Sequence, residues 1–108
     1  MAPFMKMIWA VTRPEVLDRV VRALAVRGYV AMTRFDVYGR GKQRGVIVGG
    51  ESYDMPKTVL MMVVDDGSMD EAAEIIEENA RTGCTGDGRI FITTVDEART
   101  IRTGEKGL

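Results

Sequence analysis

The sequence predicts an α+β fold of the ferredoxin-like type, in which two helices cover one face of an antiparallel sheet. Segments with strand and helix character follow one another in the order βαββαβ, and a C-terminal tail follows the last strand. Glycine and aspartate residues separate these segments, as is typical of turns. The 108 residues suffice for one domain but not for two, so we expect a single domain over residues 1–108.

The first strand and the first helix follow from local signals. Residues 5–12 form an apolar run that predicts a strand. Pro14 suits the first turn of a helix, because its missing N–H would have no partner there. Gly28 is typical of the position that follows a helix. We therefore predict a helix over 14–27, with an apolar stripe formed by Leu17, Val20, Val21 and Leu24.

The next two strands are separated by a long glycine-rich segment. Residues 29–38 and 57–64 have strand character, and the run Asp65-Asp66-Gly67 breaks the second of them. Residues 39–56, which contain five glycines, predict a loop or a hairpin extension between these strands.

The second helix is predicted over residues 68–82. Ser68 and Glu71 have the spacing of a capping box, in which each side chain accepts a hydrogen bond from a free amide at the helix start. Residues 89–94 predict the last strand of the sheet, and residues 100–103 predict a final extended piece.

Apolar residues occupy both faces of two strands, which indicates more than one copy of the chain. In the third strand Leu60 and Met62 point one way, while Val59 and Met61 point the other, and the first strand has the same character. Two helices can cover only one face, and burying the other contributes about 25 cal/mol per Å². We therefore expect self-association through the second face, the alternative being that the chain's own loops cover it.

Composition excludes several classes of function. The chain has 15 basic and 16 acidic residues, a balance that argues against a general binder of nucleic acid or of anionic membranes. Cys84 is the one cysteine and histidine is absent, which excludes an internal disulfide and a cysteine–histidine zinc site. No apolar run approaches the roughly 18 residues of a membrane span, and the signal-peptide pattern is missing. We expect a cytoplasmic protein without direct membrane insertion.

Residues 82–89 form the first of three stretches that suit anion binding. Three closely spaced glycines let the backbone approach a ligand, and consecutive amide N–H groups can surround phosphate oxygens. Arg89 adds positive charge, and Asp87 either braces the loop or lies near a metal. The alternative is an ordinary turn between helix and strand, and the stretch is not a Walker A motif.

The other two stretches are weaker signals. Residues 37–45 combine three cations with three glycines, which fits an anion site or a solvated basic turn. In residues 100–105, Arg102 either contacts a phosphate or lies on an exposed tail. Lys57, at the start of the third strand, is either solvated or holds a carboxylate beneath the preceding loop.

Taken together, in this order and spacing, the three stretches resemble the PII signal-transduction family. The resemblance runs from end to end, and its outer parts are Met5-Lys6-Met7-Ile8, Arg13-Pro14 and Arg102-Thr103-Gly104-Glu105. Its most specific part is Ala80-Arg81-Thr82-Gly83 followed by Gly86-Asp87-Gly88-Arg89-Ile90-Phe91. The short loop and residues 38–43 look closest to the branch encoded with nitrogenase genes in archaea and anaerobic bacteria.

The resemblance implies a homotrimer with an ATP or ADP site in each of three clefts between subunits. The glycine loop and Arg102 would bind the phosphates. The expected nucleotide contacts are Val11, Thr33, Gly39, Gly41, Lys42, Gln43, Val63, Gly86, Asp87, Gly88, Arg89 and Arg102. Lys42 stands where arginine is usual, which keeps the charge but loses the bidentate fork, and Thr100 stands where many members have another arginine.

By the same resemblance, 2-oxoglutarate is expected to bind through Mg²⁺ held by the ATP phosphates. The side-chain oxygen of Gln43 would be the protein ligand of the metal. Lys57 would pair with the distal carboxylate, and Gly41 would lie beside the effector. ATP must bind first because it brings the metal, so binding of the two ligands is coupled.

The resemblance also implies a regulator and not an enzyme. Residues 41–54 correspond to the partner-binding T-loop, which is shorter here than in the common nitrogen-regulatory members. Tyr53 does not align with the tyrosine that some members have nucleotidylylated, so we expect no such modification. The expected action is inhibition of nitrogenase when fixed nitrogen is plentiful, as a homotrimer or together with a paralogous PII-like subunit. The alternative target is an ammonium transporter or a biosynthetic enzyme.

Two interpretations from other classes fit the sequence less well. An acylphosphatase has a similar strand order, but the chain lacks a clear N-terminal phosphate loop with an arginine. An RNA-recognition module would need exposed stacking aromatics on its sheet, and the strands 57–64 and 89–94 offer only Phe91.

Overall fold

The computed structural model describes residues 4–41 and 45–108, and within these ranges the predicted order of elements is confirmed. The strands and helices are β1 Met5–Thr12, α1 Leu17–Val26, β2 Thr33–Gly39, β3 Val46–Val48, β4 Glu51–Tyr53, β5 Met55–Asp65, α2 Met69–Ala80 and β6 Gly88–Val95. Short 3₁₀ turns lead into both helices. In the described ranges neither helix is long and apolar enough to cross a membrane.

Four strands form one antiparallel sheet in the order β2-β5-β1-β6. The first and third long strands are therefore central, and the crossovers through α1 and α2 place both helices on one face, as the ferredoxin-like fold requires. Between the sheet and the helices lies the core, whose fully buried side chains include Ile8, Leu17, Val20, Leu24, Leu60 and Ile76.

The strand register brings the ends of several elements together at one end of the sheet. Thr12 pairs with Thr58 on one side and with Gly88 on the other, while Gly39 at the end of β2 pairs with Met55. As a consequence, the segments that enter β5 and β6 and the segment that leaves β2 are neighbours. Two of the three predicted anion-binding stretches therefore meet at this end.

The face of the sheet opposite the helices is apolar and only partly covered. Trp9 packs edge-on against Phe35, with ring centroids 6.4 Å apart. Phe35 is 42% exposed and Phe91 is 52% exposed on this face. Within the described chain, the protein's own loops therefore leave this apolar surface open.

The connection between β2 and β5 is a hairpin extension, which was one of the two predicted alternatives. β3 and β4 pair with each other as a separate two-stranded sheet. Gly49 and Gly50 form the turn with positive φ angles of 59° and 84°, which glycine adopts readily. The β3 side chains are exposed, so this hairpin projects from the body of the protein.

Strand β2 begins at Thr33 and not at residue 29 as predicted. The amide of Tyr29 donates to the carbonyl of Leu24, and Gly28 has φ +89°, so residues 27–29 complete the C-terminal cap of α1. The chain can become extended only after this cap. The other strands agree with the prediction to within two residues at each end.

The predicted capping box at the start of α2 is wrong. Ser68 has helical backbone angles as the last residue of a 3₁₀ turn, and its side chain makes no capping hydrogen bond. Glu71 instead accepts hydrogen bonds from the Tyr29 hydroxyl at 2.7 Å and from Arg27 at 2.8 Å. These two bonds lower the pKa of Glu71, the tyrosine bond being the larger cause. The carboxylate thus ties α2 to the end of α1.

The predicted extended piece over residues 100–103 is also wrong, because these residues form a turn. The amide of Gly104 donates to the Thr100 carbonyl at 2.7 Å, and the amide of Thr100 donates to the Glu105 carbonyl at 2.9 Å. An isolated bridge between Arg99 and Lys106 closes the turn. Arg102 is exposed at its tip.

Candidate functional site

A cleft of about 450 Å³ lies at the end of the sheet where β2 ends and β5 and β6 begin. It is bounded by the segment after β2, by the start of β5 and by the glycine loop, which we define as residues 82–88. Its lining residues are Val11, Gly39, Arg40, Gly41, Lys57, Cys84, Gly86, Asp87, Gly88, Arg89 and Phe91. The structure therefore brings eight of the predicted site residues to one cavity, namely Val11, Gly39, Gly41, Lys57, Gly86, Asp87, Gly88 and Arg89.

Asp87 braces the glycine loop from within. Its carboxylate accepts hydrogen bonds from the Thr82 amide at 2.8 Å, from the Gly83 amide at 2.9 Å and from the Thr82 hydroxyl. Arg13 adds a charged contact at 3.1 Å. The Thr82 hydroxyl is the largest cause that holds the pKa of Asp87 far below its ordinary value. Of the two predicted roles of Asp87, bracing is the one that the structure shows.

Arg13, which the sequence analysis names only as part of the family resemblance, is a further residue of the site. Besides Asp87, its guanidinium donates to the Thr85 carbonyl at 2.5 Å, so one side chain holds two points of the glycine loop. The signal for this role is the neighbouring Pro14. The helical region is disfavoured for a residue before proline, and Arg13 is accordingly extended, with φ −64° and ψ 139°. Arg13 therefore lies in the extended backbone between β1 and the first helical turn, from where its side chain contacts the glycine loop.

Lys57 lies under the opposite side of the loop. It is 5% exposed, and its ammonium group donates to the Gly86 carbonyl. Burial lowers the pKa of Lys57 from its ordinary value, and the nearby positive charge of Arg13 lowers it further. A buried cation beside a second cation is a favourable place for a carboxylate or a phosphate. Of the two predicted environments, the solvated one is wrong.

Gly88 is a position that only glycine can occupy. Its φ is +106°, and a Cβ atom there would overlap the carbonyl oxygen of Val11 in the neighbouring strand. The backbone of the loop therefore approaches β1 more closely than any side chain would allow. Arg89 follows at the edge of the cleft, where its guanidinium lies 6.0 Å from the ring centroid of Phe91.

The remaining predicted site residues are not brought together with the cleft. Thr33 lies at the far end of β2, and Val63 lines a different cavity of about 210 Å³. Arg102 belongs to the exposed C-terminal turn and does not line the cleft. Lys42 and Gln43 lie outside the described residues.

The chemistry of the cleft suits a polyanion. Arg40, Lys57 and Arg89 supply positive charge, and the glycine loop borders the cleft at Gly86 and Gly88. The amides of residues 82–84 are already bonded within the loop, so a phosphate would meet the amides that follow them. Asp87 is ion-paired with Arg13, whose positive charge offsets the repulsion of this carboxylate toward an anion. In the described ranges no group of three acidic, cysteine or histidine side chains could hold a metal ion.

Comparison with known proteins gives the family. Residues 5–105 match the family model described as nitrogen regulatory protein P-II. The chain is 50% identical over 105 residues to the nitrogen fixation nifHD1 region GlnB-like protein 1 of Methanosarcina barkeri, covering 96% of this chain and 100% of that protein. It is 45% identical to the nitrogen regulatory protein P-II 2 of Methanothermobacter thermautotrophicus, with 96% and 95% of the two chains covered.

A solved structure agrees with these sequence matches. The crystal structure of Arabidopsis thaliana PII bound to citrate superposes with a TM-score of 0.83 at 30% identity, over 97% of this chain and 90% of that chain. It confirms the predicted fold. The predictions of family and of a regulatory rather than enzymatic protein are confirmed as well, since the chain belongs to the P-II family of nitrogen regulatory proteins.

Proposed function

We propose that this protein senses ATP or ADP together with 2-oxoglutarate and controls a target protein through residues 41–54, the segment that carries the β3–β4 hairpin. The observation that supports the proposal best is the single cleft that joins the glycine loop, the end of β2 and the buried Lys57. This cleft adjoins the root of the hairpin, since Gly39, Arg40 and Gly41 line it. A ligand in the cleft would therefore lie beside the segment that meets the target.

The nucleotide phosphates would bind the amides of the glycine loop and the guanidinium of Arg89. Val11 and Gly39 would contact the adenine end from the same chain. Thr33, Val63 and Arg102 do not line this cleft, so we propose that a neighbouring copy supplies them. Lys42 and Gln43, which follow Gly41 directly in the chain, would complete the phosphate contacts.

A homotrimer would explain both the incomplete site and the open face of the sheet. Phe35 and Phe91 are exposed on that face, beside the half-buried Trp9. Burying such a surface against other copies is favourable by about 25 cal/mol per Å². In a closed ring of three copies, each subunit boundary would bring the cleft of one copy against the residues that the neighbouring copy supplies to the site. A paralogous PII-like subunit could replace a copy in such a ring.

2-Oxoglutarate would bind beside the nucleotide, with its distal carboxylate on Lys57. The ammonium group would then exchange its contact with the Gly86 carbonyl for an ion pair, which is strong at a buried site. Mg²⁺ carried by the nucleotide phosphates would bind the 2-oxo acid. Gln43 would be the protein ligand of the metal, and Gly41 would lie beside the effector. The citrate named in the Arabidopsis structure shows that a related protein accommodates a carboxylic acid.

Nitrogenase is the target that we propose, with the protein located in the cytoplasm. Relatives about half identical to this chain are named for a nitrogen fixation nifHD region. The proposed action is inhibition when fixed nitrogen is plentiful, relieved by 2-oxoglutarate. An ammonium transporter or a biosynthetic enzyme is the alternative target.

Isothermal titration calorimetry tests the ligands of this proposal. We expect MgATP to bind and 2-oxoglutarate to bind only when MgATP is present. Lys57→Met should abolish the second titration and keep most of the first, because the lysine contacts the effector. Lys6→Met is the matched control, since Lys6 pairs with Asp66 at the other end of the sheet and should change neither titration. A wild-type protein that binds MgATP but gives no 2-oxoglutarate heat would refute the proposed switch.

A further inference from the structure

Arg40 belongs both to the cleft and to the root of the hairpin. It lines the cleft together with Lys57 and Arg89. At the same time its Nε lies 3.0 Å from a carboxylate oxygen of Asp54, the residue between β4 and β5. About half of each side chain is exposed, so both groups can exchange partners.

The hairpin closes tightly at this root. A Cβ atom on Gly45 would overlap the carbonyl oxygen of Tyr53 and would approach the Cβ of Arg40 to 3.2 Å. The two ends of the hairpin and the base of the Arg40 side chain are therefore in contact. Beyond the root, the side chains of Val46, Ile47 and Val48 are exposed.

Among the cations of the cleft, Arg40 is held by an acidic side chain. Lys57 donates to a backbone carbonyl, and Arg89 lies across the ring of Phe91. The partner of Arg40 is instead a carboxylate, an anion that a phosphate group can replace with similar geometry. An exposed ion pair is weak, so a polyphosphate that also gains loop amides competes successfully for the guanidinium.

We infer that Arg40 is a further phosphate-binding residue and that Asp54 competes with the bound nucleotide for it. The inference rests on the proposed binding of nucleotide in the cleft. When phosphate takes the guanidinium, the ion pair at the hairpin root is lost and the hairpin opens more readily. Asp54 thus makes the conformation of the hairpin depend on occupation of the cleft, because it contacts Arg40 only in the empty state.

The direction in which one substitution changes the MgATP affinity distinguishes this inference from a purely structural ion pair. Asp54→Asn removes the competitor and should tighten MgATP binding about two- to fivefold, which matches the strength of an exposed ion pair. Arg40→Gln should weaken MgATP binding, roughly tenfold for a lost charged contact. The double variant should bind like Arg40→Gln alone, because Asp54 acts only through Arg40.

Glu51→Gln is the matched control, since it removes the same charge from the same hairpin. Glu51 accepts from the Tyr53 hydroxyl at 3.0 Å and is not part of the Arg40 pair. Its MgATP affinity should equal that of the wild type. If Glu51→Gln and Asp54→Asn tightened MgATP binding equally, the loss of one negative charge would explain the effect, and the inference would be overturned.

Amide hydrogen exchange of residues 46–53 gives a second readout. MgATP should accelerate exchange in the wild type, whereas Asp54→Asn should exchange fast with and without MgATP. The inference would be overturned, and the proposed function left standing, if the wild type bound MgATP and Asp54→Asn had the same MgATP affinity and the same amide exchange as the wild type. Wild-type protein that does not bind MgATP would overturn both.

Discussion

The glycine loop and the hairpin are two glycine-rich connections at the same end of the sheet, but they are held in different ways. Asp87, Arg13 and Lys57 fix the glycine loop through hydrogen bonds to its amides and carbonyls. In the described part of the chain, the polar tie between the hairpin and the body is one half-exposed ion pair, Arg40 with Asp54. The apolar side chains of β3 are exposed.

This difference matches two separate tasks. A loop that presents amides to phosphate binds best when its conformation is already fixed, because ordering it would reduce the affinity. A segment that changes its contacts with a partner must instead have little stability of its own. The comparison therefore predicts that substitutions in the glycine loop damage ligand binding, while substitutions of the exposed β3 side chains of the hairpin leave folding and ligand binding intact.

Gly88→Ala should break the glycine loop and have the largest effect. The new methyl group would overlap the Val11 carbonyl at a positive φ angle, so the loop or β1 must shift. We expect a loss of roughly 2–5 kcal/mol in the free energy of unfolding from backbone strain and overpacking together, with loss of MgATP binding. Urea denaturation at matched protein concentration and calorimetric titration measure the two effects.

Gly28→Ala controls for backbone strain alone. Gly28 also has a positive φ, but its Cβ would meet no atom within 4 Å. It should cost only about 1–2 kcal/mol and leave MgATP binding unchanged. Equal losses of stability in the two variants would show that the close approach of Gly88 to β1 is not what fixes the loop.

Arg13→Gln should loosen the glycine loop without unfolding it. The variant loses the charged contact with Asp87 and the bond to the Thr85 carbonyl, so the loop must be ordered on binding. We expect MgATP affinity to fall roughly tenfold, measured by calorimetry.

Arg19→Gln provides the comparison for Arg13→Gln. Arg19 also donates to a backbone carbonyl, that of Asn79 at 2.8 Å, but it lies on the helices and away from the cleft. Its loss should leave MgATP affinity unchanged. An Arg13 variant with full affinity would mean that Asp87 and Lys57 fix the loop by themselves.

The parts of the fold that the sequence predicts are those with local or periodic signals. The apolar runs of β1 and β5 and the helical stripe of Leu17 to Leu24 determine the order of elements and the core. The glycines of residues 82–88 indicate close backbone approach, which Gly88 confirms. These signals need no knowledge of distant neighbours.

The features that the sequence analysis missed depend on distant contacts. Glu71 has the spacing of a capping residue, but Tyr29 and Arg27, more than 40 positions away, bind its carboxylate. Arg13 carries no motif that indicates Asp87, which lies 74 positions further along the chain. The first pairing follows from the packing of α1 against α2, and the second from the register of β1 with β6, and a single sequence reveals neither.

Ile47→Ser should have the smallest effect and so tests the hairpin side of the comparison. Ile47 is 60% exposed on β3, so its loss removes little buried area. We expect the free energy of unfolding to change by less than about 0.5 kcal/mol and MgATP affinity to stay the same. Ile8→Ser, at a fully buried isoleucine, should in contrast cost at least about 2 kcal/mol. Thermal and urea denaturation distinguish these results. If Ile47→Ser destabilised the protein as much as Ile8→Ser, the hairpin would have to pack against the body or another copy, and its freedom to respond to the cleft would be lost.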